Sequence, residues 1–268
     1  MGNNKKTRSP IDQKPLRRAG TTLRLNALKK VLIAVSLCII PVAIWIGIIV
    51  GILLSSFLKI YLAVALSVIF IGAWGFIMQF YTKRIDESLD KLYLGLEGEI
   101  FVGELLESEK ESDWNVLHDF IFKHRDGNSN IDHIVVAPQG VFTIETKTVS
   151  KRTGDNEEIY YDGKTITVIP ENGSTRKLDS PLVQAQGQAK EIQKFVLKMR
   201  GDNITVQPIV VYPGWFVKGT YDNNKEDQQV WVCNPKFVQG LIANNPQVLS
   251  SEQTTRIYNA IADHIRES

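Results

Sequence analysis

The chain has 268 residues, of which 44% are hydrophobic, and a formal net charge of +2, which suits one domain of ordinary size with appendages. The charge is distributed unevenly: residues 1–30 hold nine Lys or Arg and one acid, residues 31–80 hold a single charge, and residues 81–268 hold 21 basic and 28 acidic residues, a net of −7. Two cysteines are too few for a disulfide framework, which excludes a small disulfide-stapled secreted protein and fits a reducing compartment.

Two long apolar segments follow the basic N-terminal segment. VLIAVSLCIIPVAIWIGIIVGILL covers residues 31–54, and IYLAVALSVIFIGAWGFIMQF covers residues 60–80. A membrane-spanning helix needs about 20 apolar residues, and the short connection between the segments predicts a helical hairpin. A cleaved signal peptide has a shorter apolar region of about 7 to 15 residues. The two segments are therefore interpreted as transmembrane helices.

Basic residues flank this hairpin at both of its ends. Lys29 and Lys30 precede the first segment, and Lys83 and Arg84 follow the second. Because Lys and Arg near membrane spans stay on the cytoplasmic side, we predict a protein with two spans in the cell (inner) membrane and with both termini and the soluble domain in the cytoplasm. Residues 1–30 have too little apolar content to fold alone and are predicted to form a flexible arm near anionic lipid headgroups.

After a predicted juxtamembrane linker at residues 81–90, the sequence KLYLGLEGEIFVGELLES indicates an amphipathic helix. One face of it carries Leu92, Leu96, Glu99, Gly103 and Leu106. Glu99 thus lies in the stripe that should be buried. A glycine costs a helix about 1 kcal/mol relative to alanine, so Gly95 and Gly103 on either side of Glu99 indicate a close approach to the backbone. The alternative is a glycine-capped helix end with an exposed acid.

The remaining sequence alternates between strands and helices. Three strands are predicted in WNVLHDFIF, IDHIVVA and VFTIETKT, with turns at DGNSN and PQG. A small polar hairpin over residues 157–169, a helix in SPLVQAQGQAKEIQKFVLKM, strands in ITVQPIVVY and QQVWVC, and helices near residues 235–243 and 252–266 follow. This order predicts an α/β domain over residues 91–268 with a mixed sheet flanked by helices.

Three charged residues lie on two of the buried strands. Glu145 and Lys147 project from one face of their strand, about 7 Å apart, and Asp132 on the preceding strand can lie beside Glu145. Two close carboxylates repel each other, and a divalent cation relieves this; oxygen ligands favour Mg²⁺ or Mn²⁺ over zinc. With a lysine to orient water and stabilise charge on a phosphate, the set predicts phosphodiester hydrolysis. The alternative is a Glu145–Lys147 ion pair on a half-exposed strand.

Three further polar residues have two interpretations each. His133 follows Asp132 and points to the opposite face of the sheet, which favours a buried structural histidine bonded to the backbone over a catalytic base. Gln184 and Gln188 lie one helical turn apart near the edge of an apolar stripe. They either orient the water and contact a phosphate or form a plain polar border of the helix.

The motifs GLEGEIFV, NIDHIVVAPQGVFTIETKT and SPLVQAQGQ, in this order, resemble the nuclease-related domain (NERD), a branch of the restriction-endonuclease-like superfamily. The resemblance covers roughly residues 92–195 and implies a restriction-endonuclease-like mixed sheet with a PD-(D/E)xK-type site, in which Ile131 replaces the proline. The implied catalytic residues are Asp132, Glu145, Lys147, Glu99 and Gln184. The predicted metal ligands are Asp132, Glu145 and Glu99.

The sequence therefore predicts a membrane-anchored, Mg²⁺- or Mn²⁺-dependent nuclease acting on nucleic acid, with DNA favoured, at the cytoplasmic face. An acidic domain lacks the broad basic field that drives phosphate-backbone binding, so a local groove near Lys123, Arg125, Lys151 and Arg152 would have to supply it. One alternative is a catalytically inactive membrane adaptor or sensor that binds nucleic acid or a protein partner. Another is a hairpin that forms homo-oligomers through the small-residue spacing of GIIVG.

Overall fold

The structure is a computed structural model that describes residues 17–53, 60–124, 127–149, 157–170, 175–178, 180–219 and 230–267. The chain forms two compact units. The first, Thr22–Leu96, is called the helical unit below. The second combines Met1–Thr21 with Glu97–Ser268 and is called the α/β unit.

The helical unit is an antiparallel pair made of α1 (Thr21–Leu53) and the first part of α2 (Ile60–Glu109). The ring of Trp45 stacks on that of Phe70, with 4.4 Å between the centroids, and Lys30 Nζ donates to Ser88 Oγ at 2.5 Å. Both helices are long and apolar enough to cross a membrane, and their most apolar stretches contain no buried residue. The predicted hairpin is thus present, and its helices are compatible with membrane spans.

Both helices extend beyond their predicted bounds. α1 begins at Thr21, so residues 21–30 of the predicted arm are helical, and α2 continues without a break through residues 81–90, which had been predicted as a linker. The physical reason is that α2 contains no proline and that residues 81–90 contain no glycine, while Lys83, Arg84, Glu87 and Leu89 among them favour helix. The apolar segment and the amphipathic segment after it therefore form one helix of 50 residues.

The α/β unit contains nine strands among its described residues. In chain order they are β1 (Asn115–His124), β2 (Gly127–Ala137), β3 (Gly140–Thr146), β4 (Glu158–Tyr161), β5 (Ile166–Ile169), β6 (Arg176–Lys177), β7 (Val206–Val211), β8 (Val217–Gly219) and β9 (Trp231–Cys233). The main sheet has the order β1–β2–β3–β7–β9. Its first three strands are antiparallel and β3, β7 and β9 are parallel, which confirms the predicted mixed sheet. β2 begins earlier than predicted, so most of DGNSN is strand.

A second sheet has the order β6–β5–β4–β8. The predicted polar hairpin supplies β4 and β5, and Asp162 Oδ1 in its turn accepts hydrogen bonds from the backbone N–H groups of Lys164 and Thr165. The edge strands β6 and β8 have two and three residues. Strands this short show no alternation in the sequence, and for this reason they were not predicted.

Helices cover both faces of the main sheet, as predicted. They are α3 (Ser180–Arg200), α4 (Val238–Ala243) after a short 3₁₀ turn, and α5 (Ser251–Glu267), in addition to the end of α2. α3 buries the complete predicted stripe of Leu182, Ala185, Ala189, Ile192 and Val196. Alternate residues of β2 separate the two cores: Ile134 packs in the core of α3 and α5, and Val135 packs in the core of α2 and α4.

At Gly98, α2 lies close to the segment that follows β3. A Cβ added to Gly98 would overlap Cγ2 of Thr148, whereas a Cβ on Gly187 of α3 would meet nothing within 4 Å. We expect Gly98→Ala to destabilise the protein by about 1 to 2 kcal/mol through overpacking and Gly187→Ala to stabilise it by about 0.5 to 1 kcal/mol through helix propensity. Thermal unfolding of the two variants tests this difference in sign. Equal shifts would contradict the close packing.

Candidate active site

The antiparallel pairing of β2 with β3 ends at the predicted catalytic acids. The last paired residues on this side are His133 and Ile144, so Asp132 and Glu145 are the next two residues in register. The backbone N–H of Thr146 donates to Asp132 Oδ2 at 2.8 Å. The predicted proximity of the two acids thus follows from the strand register, and both are almost completely buried.

Three side chains hold the carboxylate of Glu145. Its Oε1 accepts hydrogen bonds from Lys147 Nζ at 2.5 Å and from Gln184 Nε2 at 2.7 Å, and its Oε2 accepts one from Gln188 Nε2 at 2.5 Å. Lys147 Nζ also donates to Gln184 Oε1 at 2.9 Å. The Glu145–Lys147 ion pair, which was the alternative interpretation of the sequence, is therefore present. It involves a buried acid that two glutamines of α3 orient, and not an exposed strand surface.

Repulsion between acids dominates the electrostatics of the site. Burial raises the pKa of Asp132 well above its ordinary value, and the nearby carboxylates of Glu145 and Glu99 raise it further. Burial also raises the pKa of Glu99 to about 8, with repulsion from Asp119 and Glu145 adding to the effect and the cation of Lys147 opposing it. Glu99 lies on the inward face of α2, as its spacing predicts. Among the described residues, the cluster holds four acids, Glu99, Asp119, Asp132 and Glu145, and two cations, because Arg17 Nη1 lies 3.5 Å from Asp119 Oδ2 and Lys147 pairs with Glu145.

The chain segment just before α1 also contacts the site, although it was predicted to belong to a flexible arm. The backbone of Gly20 makes a hydrogen bond to Glu99 that opposes the rise in its pKa. A Cβ added to Gly103 would lie 2.7 Å from Cβ of Ala19. The close approach predicted at Gly103 is thereby confirmed, and the approaching group is this segment.

Asp119 is a site residue that sequence reasoning missed. It lies on β1 between His118 and Phe120, whose pairing with β2 places it opposite Asp132. Its φ of 56° is in the left-handed region, which aspartate tolerates better than most residues and which strained functional positions use. Asn130 Nδ2 donates to its Oδ1 at 3.3 Å. The sequence signal that could have identified Asp119 is the presence of an acid within the apolar run WNVLHDFIF.

Two buried polar atoms beside Glu145 have no hydrogen-bond partner within the described part of the chain: Gln188 Oε1 and the hydroxyl of Tyr212. Burial and the negative charge of Glu145 raise the pKa of Tyr212, so its phenol stays neutral. Orphaned buried groups are rare. Since Mg²⁺ binds through one or two carboxylates and retains several waters, oxygen donors with orphaned polar neighbours fit a hydrated divalent ion.

The three predicted metal ligands do not form a single ligand cluster. Among residues that the structure describes, no group of three or more His, Cys, Asp or Glu side chains is arranged to hold a metal ion. The ligands of a hydrated ion at this site would therefore be Asp132 and Glu145. Glu99 as a third ligand stays a prediction, and its charge contributes to the raised pKa of Asp132.

His133 lies outside this cluster, in a buried histidine pair. Its Nδ1 is 2.9 Å from Nδ1 of His118, and its Nε2 is 3.3 Å from Oγ1 of Thr146. Burial lowers the pKa of both histidines, so the pair is neutral and one ring donates to the other. A structural role agrees with the sequence interpretation, but the partners are side chains and not the backbone.

The sheet and this site define a mixed α/β domain in which two adjacent strands present two acids and a lysine to a helix that carries glutamines. Residues 94–213 match the sequence model of the family described as "Nuclease-related domain" (NERD). The chain therefore contains a nuclease-related domain, and the resemblance seen in its motifs is confirmed. All five predicted catalytic residues lie within the match, which indicates a nuclease-related function. No curated protein matches the chain.

Proposed function

We propose that this protein is a membrane-anchored, divalent-metal-dependent nuclease that hydrolyses phosphodiester bonds of DNA at the cytoplasmic face. The observation that supports this best is the meeting of Asp132, Glu145 and Lys147 where the pairing of two strands ends, inside a nuclease-related domain. Four buried acids share the cations of Lys147 and Arg17, and a divalent cation would relieve the remaining repulsion between the acids.

Each residue has a distinct part in the proposed reaction. Asp132 and Glu145 would hold Mg²⁺ or Mn²⁺, which when bound polarises the phosphate and lowers the pKa of a bound water. Lys147 would orient the attacking water and stabilise negative charge on the phosphate. Gln184 contacts both Glu145 and Lys147 and so fixes the amine relative to the acid. Glu99, with its raised pKa, would tune the charge of the site and hold a proton near neutral pH.

Removing the amine of Lys147 tests this proposal. We expect Lys147→Ala in the full-length, detergent-solubilised protein to reduce cleavage of plasmid DNA in Mg²⁺ or Mn²⁺ by about a hundredfold to a thousandfold, because one preorganised electrostatic group is lost. Lys164→Ala is the matched control, since Lys164 is an exposed lysine in the turn of the second sheet. Equal traces of product from wild type and Lys147→Ala would show that the activity is contamination.

A catalytically inactive adaptor or sensor is the second candidate. The ion pair between Lys147 and Glu145 favours it, because the amine occupies one of the oxygen atoms that a metal would use. Calorimetric titration of the full-length protein with Mg²⁺ separates the two candidates. A nuclease should show a binding site that Asp132→Asn removes, whereas an adaptor should show none.

The membrane arrangement is part of the proposal. Lys29 and Lys30 before the first span and Lys83 and Arg84 after the second support cytoplasmic placement of both termini and of the α/β unit, in the cell (inner) membrane. The lipid bilayer is then one partner and nucleic acid the other. Self-association through the GIIVG segment of α1 is a further proposed contact, since a Cβ added to either of its glycines would meet nothing within 4 Å.

A further inference from the structure

A groove lined by aromatic and basic side chains lies between β1 and the second half of α3. Its volume is about 560 Å³. We call it the lysine–phenylalanine groove, and the side chains that define it are Phe120, Phe122, Lys123, Lys194, Phe195 and Lys198. None of them belongs to the candidate active site, and only Lys123 was singled out from the sequence. Arg125, Lys151 and Arg152, which had been grouped with Lys123, lie outside the described residues.

The aromatic wall of the groove is preformed. Phe120 is fully buried and forms its floor, and the ring of Phe195 packs edge to face on it with 5.4 Å between centroids. His264 lies against both rings and its Nε2 is 2.8 Å from the carbonyl oxygen of Ile121. Phe122 and Phe195 are only partly buried over this floor. They therefore offer rigid aromatic surface to a ligand at little entropic cost.

The charge of the groove is opposite to that of the domain around it. Lys123 and Lys198 are exposed, and Lys194 forms an exposed ion pair with Glu191, at 2.8 Å. Three lysines and one acid line a surface of an otherwise acidic domain. Lysines interleaved with aromatic rings fit a ligand that carries both phosphates and unstacked bases.

The groove and the candidate active site share α3 and the paired strands β1 and β2. Gln188 donates to Glu145 and also to the carbonyl oxygen of Asn130, at 3.2 Å, and Asn130 pairs with Ile121 of the groove strand. Phe195 follows Gln188 by seven residues, which is about 10 Å along a helix axis. A strand bound in the groove would therefore reach the candidate active site within a few nucleotides.

We propose that the lysine–phenylalanine groove binds a single-stranded segment of nucleic acid within a few nucleotides of the bond that is cleaved. Bases stack on Phe122 and Phe195, and phosphates contact Lys123 and Lys198. A single strand is favoured over a duplex because only unstacked bases can reach aromatic side chains in a groove. The distance to the bond that is cleaved rests on the proposed nuclease function, and the binding itself does not.

The aromatic contact is tested by binding without cleavage. Full-length protein in detergent and EDTA is titrated into a fluorescein-labelled single-stranded DNA of 20 mixed-sequence nucleotides, and into the matched duplex, with anisotropy as readout. Phe122→Leu keeps an apolar side chain but loses the ring, and we expect about tenfold weaker binding of the single strand and unchanged binding of the duplex. Phe122→Trp should restore or exceed the wild-type affinity.

The charges are tested with the same probe at several salt concentrations. Lys123→Gln and Lys198→Gln should each lower the slope of log affinity against log salt by about 0.7, the value for one phosphate contact on a single strand. Lys236→Gln, which removes an exposed lysine elsewhere on the α/β unit, should leave the slope unchanged. Glu191→Gln removes the acid of the groove and should tighten binding severalfold.

The outcomes separate the groove from the nuclease proposal. If wild type does not cleave DNA in Mg²⁺ but binds the single strand in EDTA, and the groove variants weaken that binding, only the nuclease function is overturned. The groove proposal is overturned if wild type does not bind the single strand, or if Phe122→Leu and Lys198→Gln bind it as Lys236→Gln does. Equal losses of affinity for the single strand and the duplex overturn the preference for a single strand.

Discussion

Replacing Asp132 with asparagine is expected to abolish cleavage and, at the same time, to stabilise the metal-free protein. Asparagine keeps an oxygen that accepts the hydrogen bond from the backbone N–H of Thr146, but it removes a carboxyl group whose ionised form is disfavoured by burial and by the charges of Glu145 and Glu99. We expect activity to fall by at least about a hundredfold and the free energy of unfolding at pH 8 to rise on the order of 1 kcal/mol. A variant that is both inactive and more stable cannot owe its inactivity to misfolding.

Thermal unfolding in EDTA and in excess Mg²⁺ or Mn²⁺, followed by tryptophan fluorescence, measures both effects. Metal should raise the melting temperature of wild type and leave that of Asp132→Asn unchanged, because a ligand stabilises only the state that binds it. Asp162→Asn is the matched control. Asp162 is exposed and its carboxylate accepts two backbone hydrogen bonds, so its replacement should not stabilise the protein and should leave cleavage intact. Cleavage by Asp132→Asn would refute the metal assignment.

Raising the pH from about 4.5 to about 8 is expected to destabilise the metal-free protein through Glu99. The folded state raises the pKa of this carboxyl from 4.5 to about 8. Below both values the folded and unfolded states hold the proton equally. Between them only the folded state holds it, so stability falls as the pH rises. Above about 8 the folded state bears the full cost of the buried charge, on the order of a few kcal/mol.

Glu99→Gln should flatten this dependence and raise the melting temperature at pH 8 more than at pH 5. Some slope should persist, because burial and the neighbouring acids also raise the pKa of Asp132. Glu104→Gln, at an exposed position of the same helix, controls for a general effect of removing an acid from α2. A Glu99→Gln variant with the wild-type pH profile would mean that Glu99 is already ionised at neutral pH in the folded protein.

One helix connects the two functional surfaces proposed here. The start of α3 presents Gln184 and Gln188 to the acid of β3, and its second half presents Phe195 and Lys198 to the groove. The acidic side chains thus gather where a cation would bind, and basic ones gather where a phosphate backbone would lie. An acidic net charge is therefore compatible with local binding of nucleic acid, although the long-range repulsion between two negatively charged molecules opposes their association.

The sequence by itself determined the main strands, the apolar hairpin, the stripe of α3 and most of the candidate site. These features depend on local periodicity, which follows from the geometry of a helix or strand whatever surrounds it. Glu99, Asp132 and Glu145 were identifiable for the same reason, since a charge at a position that periodicity buries needs a compensating partner. The continuous α2 was missed because a change from apolar to amphipathic pattern resembled a boundary, although no residue there breaks a helix.

Only the tertiary structure decided which distant residues meet. Gln188 contacts Glu145 across 43 positions of sequence, the left-handed backbone of Asp119 arises where β1 and β2 are paired, and Gly20 reaches Glu99 from the segment before α1. The lysine–phenylalanine groove likewise combines side chains of a strand and of a helix that are more than 60 positions apart in the sequence. Such contacts depend on strand order and helix packing, and these are set by the burial of the whole core and not by any local pattern.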